Sequence, residues 1–459
     1  MSDRRCMMPL RDVKDHPKRK VNLIGIVVEF SIPRMSEGTV FADYCTILKV
    51  IDRSQQSPEL SVNVFIDDVH QLPHIRSRRD IILLSCVRIE RHKQDVYAVF
   101  NKSFSSFALF DGKCSSVFSP YQTSPAFCLL DSDKPFITCL RNWCLTFQLD
   151  PGISPYVVSL NDIKEREYVD LVCKVLGVCE VSSNEWMLFI WDGTDVPPLS
   201  FNTKLEEHSS TRLQIESVPL PTNVISNFPC VGTVLRVIAD QAFGKLGYHF
   251  HSIGQWVRIR NVLFEVDSGL WKGFLTCASK VRLLSENDNS VAECKRNLTE
   301  RLSRSGRVPM SSYHVSNFIT VLTLTDYEST KFATLMDLLT FSKDKGRFKC
   351  IVRVVAICPS QVKDFWSPAG LSRIRVTLED PTARIHALLC GEDAELFFGG
   401  YPSASVLAAK MNKLLGVPGN DDSTRNPPWI QCCLELHLPN EAGALGARHY
   451  HIRFTNLVL

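Results

Sequence analysis

Three short passages repeat one plan and limit what this chain can build. ILKVIDRS (47–54), LFIWDGTD (188–195) and VTLEDPTA (376–383) each run as an apolar or alternating stretch into an aspartate. Each then returns as a second stretch: LSVNVF, PPLSF and RIHALL. An aspartate at a turn accepts hydrogen bonds from backbone N–H groups two residues on, and glycine or proline beside it favours the reversal. Each passage is therefore predicted to be a β-hairpin. A long strand precedes each one: VNLIGIVVEF (21–30), YVDLVCKVLGVCEV (168–181) and RFKCIVRVVAICP (347–359). A helix or loop and two further strands follow.

One long strand, a hairpin, a helix or loop and two closing strands is the order of the OB-fold, a five-stranded Greek-key barrel. The predicted fold is all-β dominated, with three OB-fold barrels in tandem and short connecting helices. A chain of 459 residues is too long for one core, since single cores stop growing at roughly 250–300 residues. The first barrel is expected over 8–132 and the second over 155–284. The polar stretch 285–310 reads as a linker or exposed helix, and the third barrel follows over 311–459.

Several function classes are excluded by what the chain lacks. No apolar run approaches the roughly 18 residues of a spanning helix, so no membrane partner is expected. The first twenty residues are charged and hold no apolar core of a signal peptide, which predicts a reducing intracellular compartment. The 17 cysteines form no C-x-x-C or C-x-x-H pair and read as small buried apolar groups. A zinc assembled from Cys350, Cys358 and Cys390 is the alternative; no metal or cofactor is expected. There is no P-loop, dinucleotide glycine motif, H-E-x-x-H or deaminase signature. The acid pairs Asp67-Asp68, Glu206-Glu207 and Asp421-Asp422 sit in polar loops and read as solvated surface rather than a two-metal site. The chain is not expected to be an enzyme.

Binding fits better. Barrels of this kind hold single-stranded nucleic acid by stacking bases on aromatics of strands two and three while Lys and Arg track the backbone. The first 150 residues hold 20 Lys and Arg against 17 Asp and Glu, which is the whole net charge of +3. In the first hairpin, Phe65 alternates with polar Asn63 and Ser61, which places it outward, and Lys49 faces outward if Leu48 and Val50 fill the barrel. Arg88, Arg91, His92, Lys93, Tyr97 and Lys102 then form a basic run with an aromatic interleaved. The alternative is a core Phe65 and a solvated basic edge. In the second hairpin, Leu188 and Ile190 point inward. Met187, Phe189 and Trp191 are left on the outer wall, to stack bases or to pack against a neighbouring barrel. Arg375, Thr377 and Glu379 take the outward positions of the third hairpin. They offer no aromatic platform, so that barrel suits a protein partner.

VNLIGIVVEF, DYCTILKVID, LSVNVF and SSFALFDGK in the first unit, YVDLVCKVLG and WDGT in the second, and VTLEDPTARIHALLCGEDAELFF in the third resemble the protection-of-telomeres family, in its shorter plant-type form. The resemblance covers nearly the whole chain in order. It implies a nuclear protein of chromosome ends whose first two barrels grip the G-rich telomeric single-stranded DNA and whose third docks a protein of the telomere or telomerase complex. The family's base-stacking phenylalanine falls on Phe65, its second-strand D-Y-C on Asp43, Tyr44 and Cys45, and its fourth-strand basic positions on Arg88 and Lys93. The aromatic at the head of the second barrel falls on Tyr168. An aromatic expected near Glu29 is displaced to Phe30, a contact arginine appears as Cys86, and an aromatic–acid pair reads Ala239-Asp240. Animal members insert a resolvase-like domain in the third unit and carry a four-cysteine metal site, neither of which this sequence shows. Plant-type members are also tied to the telomerase ribonucleoprotein. A telomerase accessory factor acting through protein or telomerase RNA contacts is thus one alternative, and a general single-strand-binding subunit is another. HPKRK (16–20) is a candidate nuclear import signal.

Overall fold

The computed structural model describes residues 5–458 apart from 37–42, 114, 148–155, 183–184, 199–219, 230–232, 240–252, 268–269, 305–321, 326–330, 341–345, 360, 366–372, 381, 418–424 and 438–448. Three five-stranded barrels follow one another along the chain. The first is built from β1 (Lys20–Ser31), β2 (Tyr44–Ile51), β3 (Leu60–Ile66), β4 (Ile81–His92) and β5 (Asp95–Asn101), with β6 (Ser106–Phe110) extending β4. It closes where β1 pairs antiparallel with β4 and β3 pairs parallel with β5. The second uses β7 (Tyr168–Ser182), β8 (Glu185–Trp191), β9 (Leu235–Ala239), β10 (Trp256–Asp267) and β11 (Leu270–Leu284), and closes by the same two pairings, β7 with β10 and β9 with β11. β12 (Arg347–Cys358), β13 (Arg373–Glu379), β14 (Arg384–Cys390), β15 (Trp429–His437) and β16 (His449–Arg453) form the third closed barrel.

The patterning explains which strands lie where. β3 alternates strictly, with Leu60, Val62, Val64 and Ile66 buried and Ser61, Asn63 and Phe65 half-buried between them, as expected of a strand with one face to a core. β1 is apolar almost throughout because both of its faces are covered. Leu23, Val27 and Phe30 fill the barrel, while Ile24, Ile26 and Val28 pack outward against Ile137, Leu140 and Cys144 of helix α1 (Lys134–Thr146). At its C-terminal end β1 also pairs with β11, Phe30 opposite Val281 and Ser31 opposite Lys280. One sheet therefore runs through the first two barrels.

The second passage is not the hairpin expected: β8 pairs with β9, while Pro197 and Pro198 of the predicted return PPLSF are not in a strand and its last three residues lie outside the described ones. The aspartates of the three passages nevertheless share a second task that the sequence pattern does not display. One oxygen of each serves its own turn: Asp52 Oδ1 accepts from the Ser54 amide (2.8 Å), Asp192 Oδ1 from Thr194 (2.8 Å) and Asp380 Oδ1 from Thr382 (2.7 Å). The other oxygen accepts from the amide of a leucine that opens a short helix before the barrel's first strand. These amides are Leu10 (3.0 Å), Leu160 (2.8 Å) and Leu335 (2.7 Å). The next amide in each helix, of Arg11, Asn161 or Met336, donates to the hydroxyl of Ser54, Thr194 or Thr382. The first amides of a helix have no partner within it, and here an Asp-x-Ser/Thr turn at the end of the barrel's second strand supplies one. Leu10, Leu160 and Leu335 are at most 1% exposed. Each is held as a plug in its barrel's core and contributes about 1.5–3 kcal/mol by burial.

The segment expected as a linker is mostly helix α2 (Asn289–Arg304). It is not an exposed one along its length: Val291 packs with Val172, Trp256 and Leu284 of the second barrel. The third barrel departs further from expectation. Arg375, Thr377 and Glu379 do not face solvent but are at most 4% exposed. Glu379 pairs with Arg353 (3.0 Å) and Arg384 (2.5 Å) of its own barrel and with Arg236 of the second (3.6 Å). Arg384 also donates to the Val234 carbonyl (2.8 Å). Alternation places these side chains outside the barrel correctly, but the second barrel covers that wall at Glu379 and Arg384, and Thr377 Oγ1 shares a hydrogen bond with His386 of its own barrel. Helices α3 (Gly391–Phe398) and α4 (Ala404–Leu414) follow β14.

Candidate nucleic-acid interface

Strand register arranges the first barrel's outer face in rows. Lys49 of β2 stands opposite Ser61 of β3, which stands opposite Tyr97 of β5 and through it Glu90 of β4. The next row is Ile47, Asn63, Val99 and Arg88, and the one beyond is Cys45, Phe65 and Asn101. Lys49 Nζ donates to Ser61 Oγ at 2.7 Å. Lys49, Ser61 and Tyr97 of the first row and Ile47 and Asn63 of the second floor a groove of about 1240 Å³. Its walls come from the plug helix, with Arg11 and Lys14, from the hairpin tip at Arg53–Glu59, from His92 at the β4–β5 turn, and from Lys280 of the second barrel.

The expected residues divide into groups. Lys49, His92 and Tyr97 come together in the groove. Phe65 lies on the same face but two rows away, half-buried and outward rather than in the core. Near it, Lys102 bridges Asp43 (2.8 Å) and Asp67 (3.3 Å), and these carboxylates raise its pKa. Tyr44 is half-buried against the core. Arg88 is exposed and pairs with Glu90 at 2.6 Å. Lys93 is exposed at the β4–β5 turn, where its φ of 53° is left-handed. Tyr168, 57% exposed, stands apart on the second barrel.

Two expected contacts are corrected. Phe30 is 6% exposed and part of the first barrel's core, because β1 points it inward between Leu48 and Val281. Trp191 is 1% exposed. Its indole N–H donates to the Thr194 carbonyl (2.7 Å), and the Arg301 guanidinium of α2 lies 5.4 Å from its ring centre. Phe189, also expected outside, is fully buried against Phe228. The wall is outer in the alternation sense, but segments distant in sequence close over it, so Trp191 serves an internal joint and no base reaches it. Arg11, Lys14, Arg53 and Lys280 were not anticipated. Only the charge excess of the first third hinted at the former three, and nothing local marks Lys280. Among the described residues, no group of three His, Cys, Asp or Glu could hold a metal ion.

Comparisons with known proteins agree with this architecture. Family models match in three places: "Telomeric single stranded DNA binding POT1/CDC13" over residues 3–151, "ssDNA-binding domain of telomere protection protein" over 159–227, and "POT1A-like, OB fold domain" over 318–442. Protection of telomeres protein 1b of Arabidopsis thaliana is 36% identical over 434 residues, 94% of this chain and 93% of the relative. Protection of telomeres protein 1a of the same plant is 34% identical over 481 residues, the full length of both. Among solved structures, the fission yeast Pot1 complex with ssDNA is similar with 19% identity and a TM-score of 0.27, over 64% of this chain and 93% of that one. With a third of its residues shared along its whole length with such relatives, the chain belongs to the protection-of-telomeres family.

Proposed function

We propose that this protein binds G-rich telomeric single-stranded DNA across the outer face of its first barrel, protecting the chromosome end and regulating telomerase access. The observation that carries this reading is the ordered face of β2, β3 and β5, where Lys49, Tyr97 and Asn63 floor one groove and Phe65 stands on the same face. Amines track phosphates, the rings offer stacking surfaces and the amide side chain offers hydrogen bonds to base edges. The protein works by occupancy, without catalysis or cofactor, in the nucleus at chromosome ends. Tyr168 extends the contact to the second barrel. The functional division follows 8–132 and 155–284 for the strand, 285–310 as connector and 311–459 for a protein of the telomere or telomerase complex. Since the third barrel's strand wall is covered, its helical side, where Tyr401 and Val406 are exposed, is the face left for that partner.

The test is a gel-shift titration at fixed salt with the G-rich repeat, its C-rich complement and a scrambled strand. The G-rich strand is expected to bind most tightly. Equal retardation of all three would favour a general single-strand binder, and telomerase RNA bound in preference to DNA would favour the accessory-factor function. Phe65→Ala is expected to weaken the G-rich complex by about 1–3 kcal/mol with little change in melting temperature, because the ring is half outside the core.

A further inference from the structure

The two barrels meet where β1 and β11 pair, and two amines approach that seam from opposite sides. Lys49 stands on β2 across from Glu29 of β1. Lys280 stands on β11 across from Ser31 of β1. Both line the same groove. The acids nearby are already held by arginines: Glu29 by Arg260 (3.5 Å) and Arg282 (4.0 Å), and Glu59 by Arg282 (3.1 Å). Neither lysine forms an ion pair among the described residues. Burial, and then the charge of Lys280, push the Lys49 ammonium below its ordinary value, against the opposite pull of Glu59 and Glu29. Two like charges held together in a groove disfavour each other unless an anion lies between them. An ammonium is a compact point charge suited to a phosphate oxygen.

We propose that Lys49 and Lys280 jointly hold one phosphate of the bound strand at the seam, so that the second barrel completes the first barrel's groove. Lys280 is the new element: it belongs to the last strand of the other barrel and carries no stacking or base-reading role. The neighbouring floor of Tyr97 and Asn63 suits a nucleotide chain rather than an acidic peptide, which offers no bases to stack. This inference rests on the strand-binding function proposed above.

The experiment uses the full chain, a G-rich telomeric oligonucleotide long enough to span both barrels, and affinity measured as a function of salt. Lys280→Gln is expected to weaken binding several-fold and to reduce the slope of log affinity against log salt by about 0.7, one phosphate contact for a single strand. Its melting temperature should hold or rise, since the substitution relieves repulsion. Combining it with Lys49→Gln should cost less than the two single effects together, because one phosphate is shared. Lys295→Gln, an exposed helix lysine paired with Glu286, should change neither quantity. Unchanged affinity and slope in Lys280→Gln, with Lys49→Gln still impaired, would overturn the seam site and leave the strand-binding function standing. If Lys49→Gln and Phe65→Ala also bind normally, both fall.

Discussion

Asp380 shows how one carboxylate can be placed at odds with its charge. It accepts amides from Leu335, Thr382 and Ala383 and the Thr382 hydroxyl, yet its complete burial pushes its pKa up to about 6 from 3.8. Asp192 moves the same way, with burial again the leading cause. Because folded Asp380 holds its proton more tightly than the unfolded chain does, Asp380 adds stability below about pH 4 that is lost as pH rises through about 6, on the order of 3 kcal/mol. Asp380→Asn removes the titration. Urea midpoints of the variant should lack the part of the decline between about pH 4 and 7 that Asp380 gives the parent. At neutral pH the variant should be less stable by about 1–3 kcal/mol, since an amide group cannot accept at both oxygen positions. Parallel pH profiles for the two proteins would contradict this placement of the charge.

At the level of elements, the WDGTD turn between β8 and the segment after it is the socket for α2. Gly193 has φ of 93°, and a Cβ there would meet the Leu298 amide nitrogen at 2.8 Å and the Cys294 carbonyl oxygen at 3.1 Å. Arg301 closes the joint through the Gly193 carbonyl (2.7 Å), Asp195 (2.9 Å) and the Arg425 carbonyl (3.1 Å). Gly193→Ala therefore combines left-handed strain with a clash against helix backbone, and should lower stability by about 1–3 kcal/mol. Differential scanning calorimetry measures this; an unchanged transition would mean that α2 does not seat on the turn. The socket also shows what was legible beforehand. The first and third hairpins and the outward placing of Phe65 and Lys49 follow from period-two alternation and turn chemistry, which are local; the second hairpin does not, since β8 pairs with the distant β9 and not with the expected return PPLSF. For Trp191 and Phe189 alternation gives the wall but leaves stacking and packing open, and the structure takes packing; for them and for Glu379 the covers come from residues tens to hundreds of positions away. Lys280 enters the groove only through the β1–β11 pairing, which no local pattern encodes.

Across the whole molecule, the three barrels carry the same topology but use the same wall differently. The first leaves its strand wall open as a groove. The second and third turn theirs into contact surface around Glu379, which gathers Arg384, Arg353 and Arg236. Burial alone would raise this carboxyl, but the three guanidiniums hold it below its ordinary value. Its linkage is thus opposite to that of Asp380: the stability it gives is present above about pH 4.5 and lost as pH falls through the lowered folded value. Glu379→Gln withdraws the one carboxylate these arginines share. Breaking a buried pair from one side costs roughly 3–5 kcal/mol, so the variant should lose stability and loosen the contact between the second and third barrels. Strand binding by the first barrel, which lies beyond the β1–β11 seam, should keep its affinity at a temperature where the variant is folded. Thermal unfolding and gel-shift titration on the same preparation separate the two effects. A loss of DNA affinity equal to the loss of stability would mean that the third barrel's seating governs the groove as well, and that the open wall and the covered walls act as one unit.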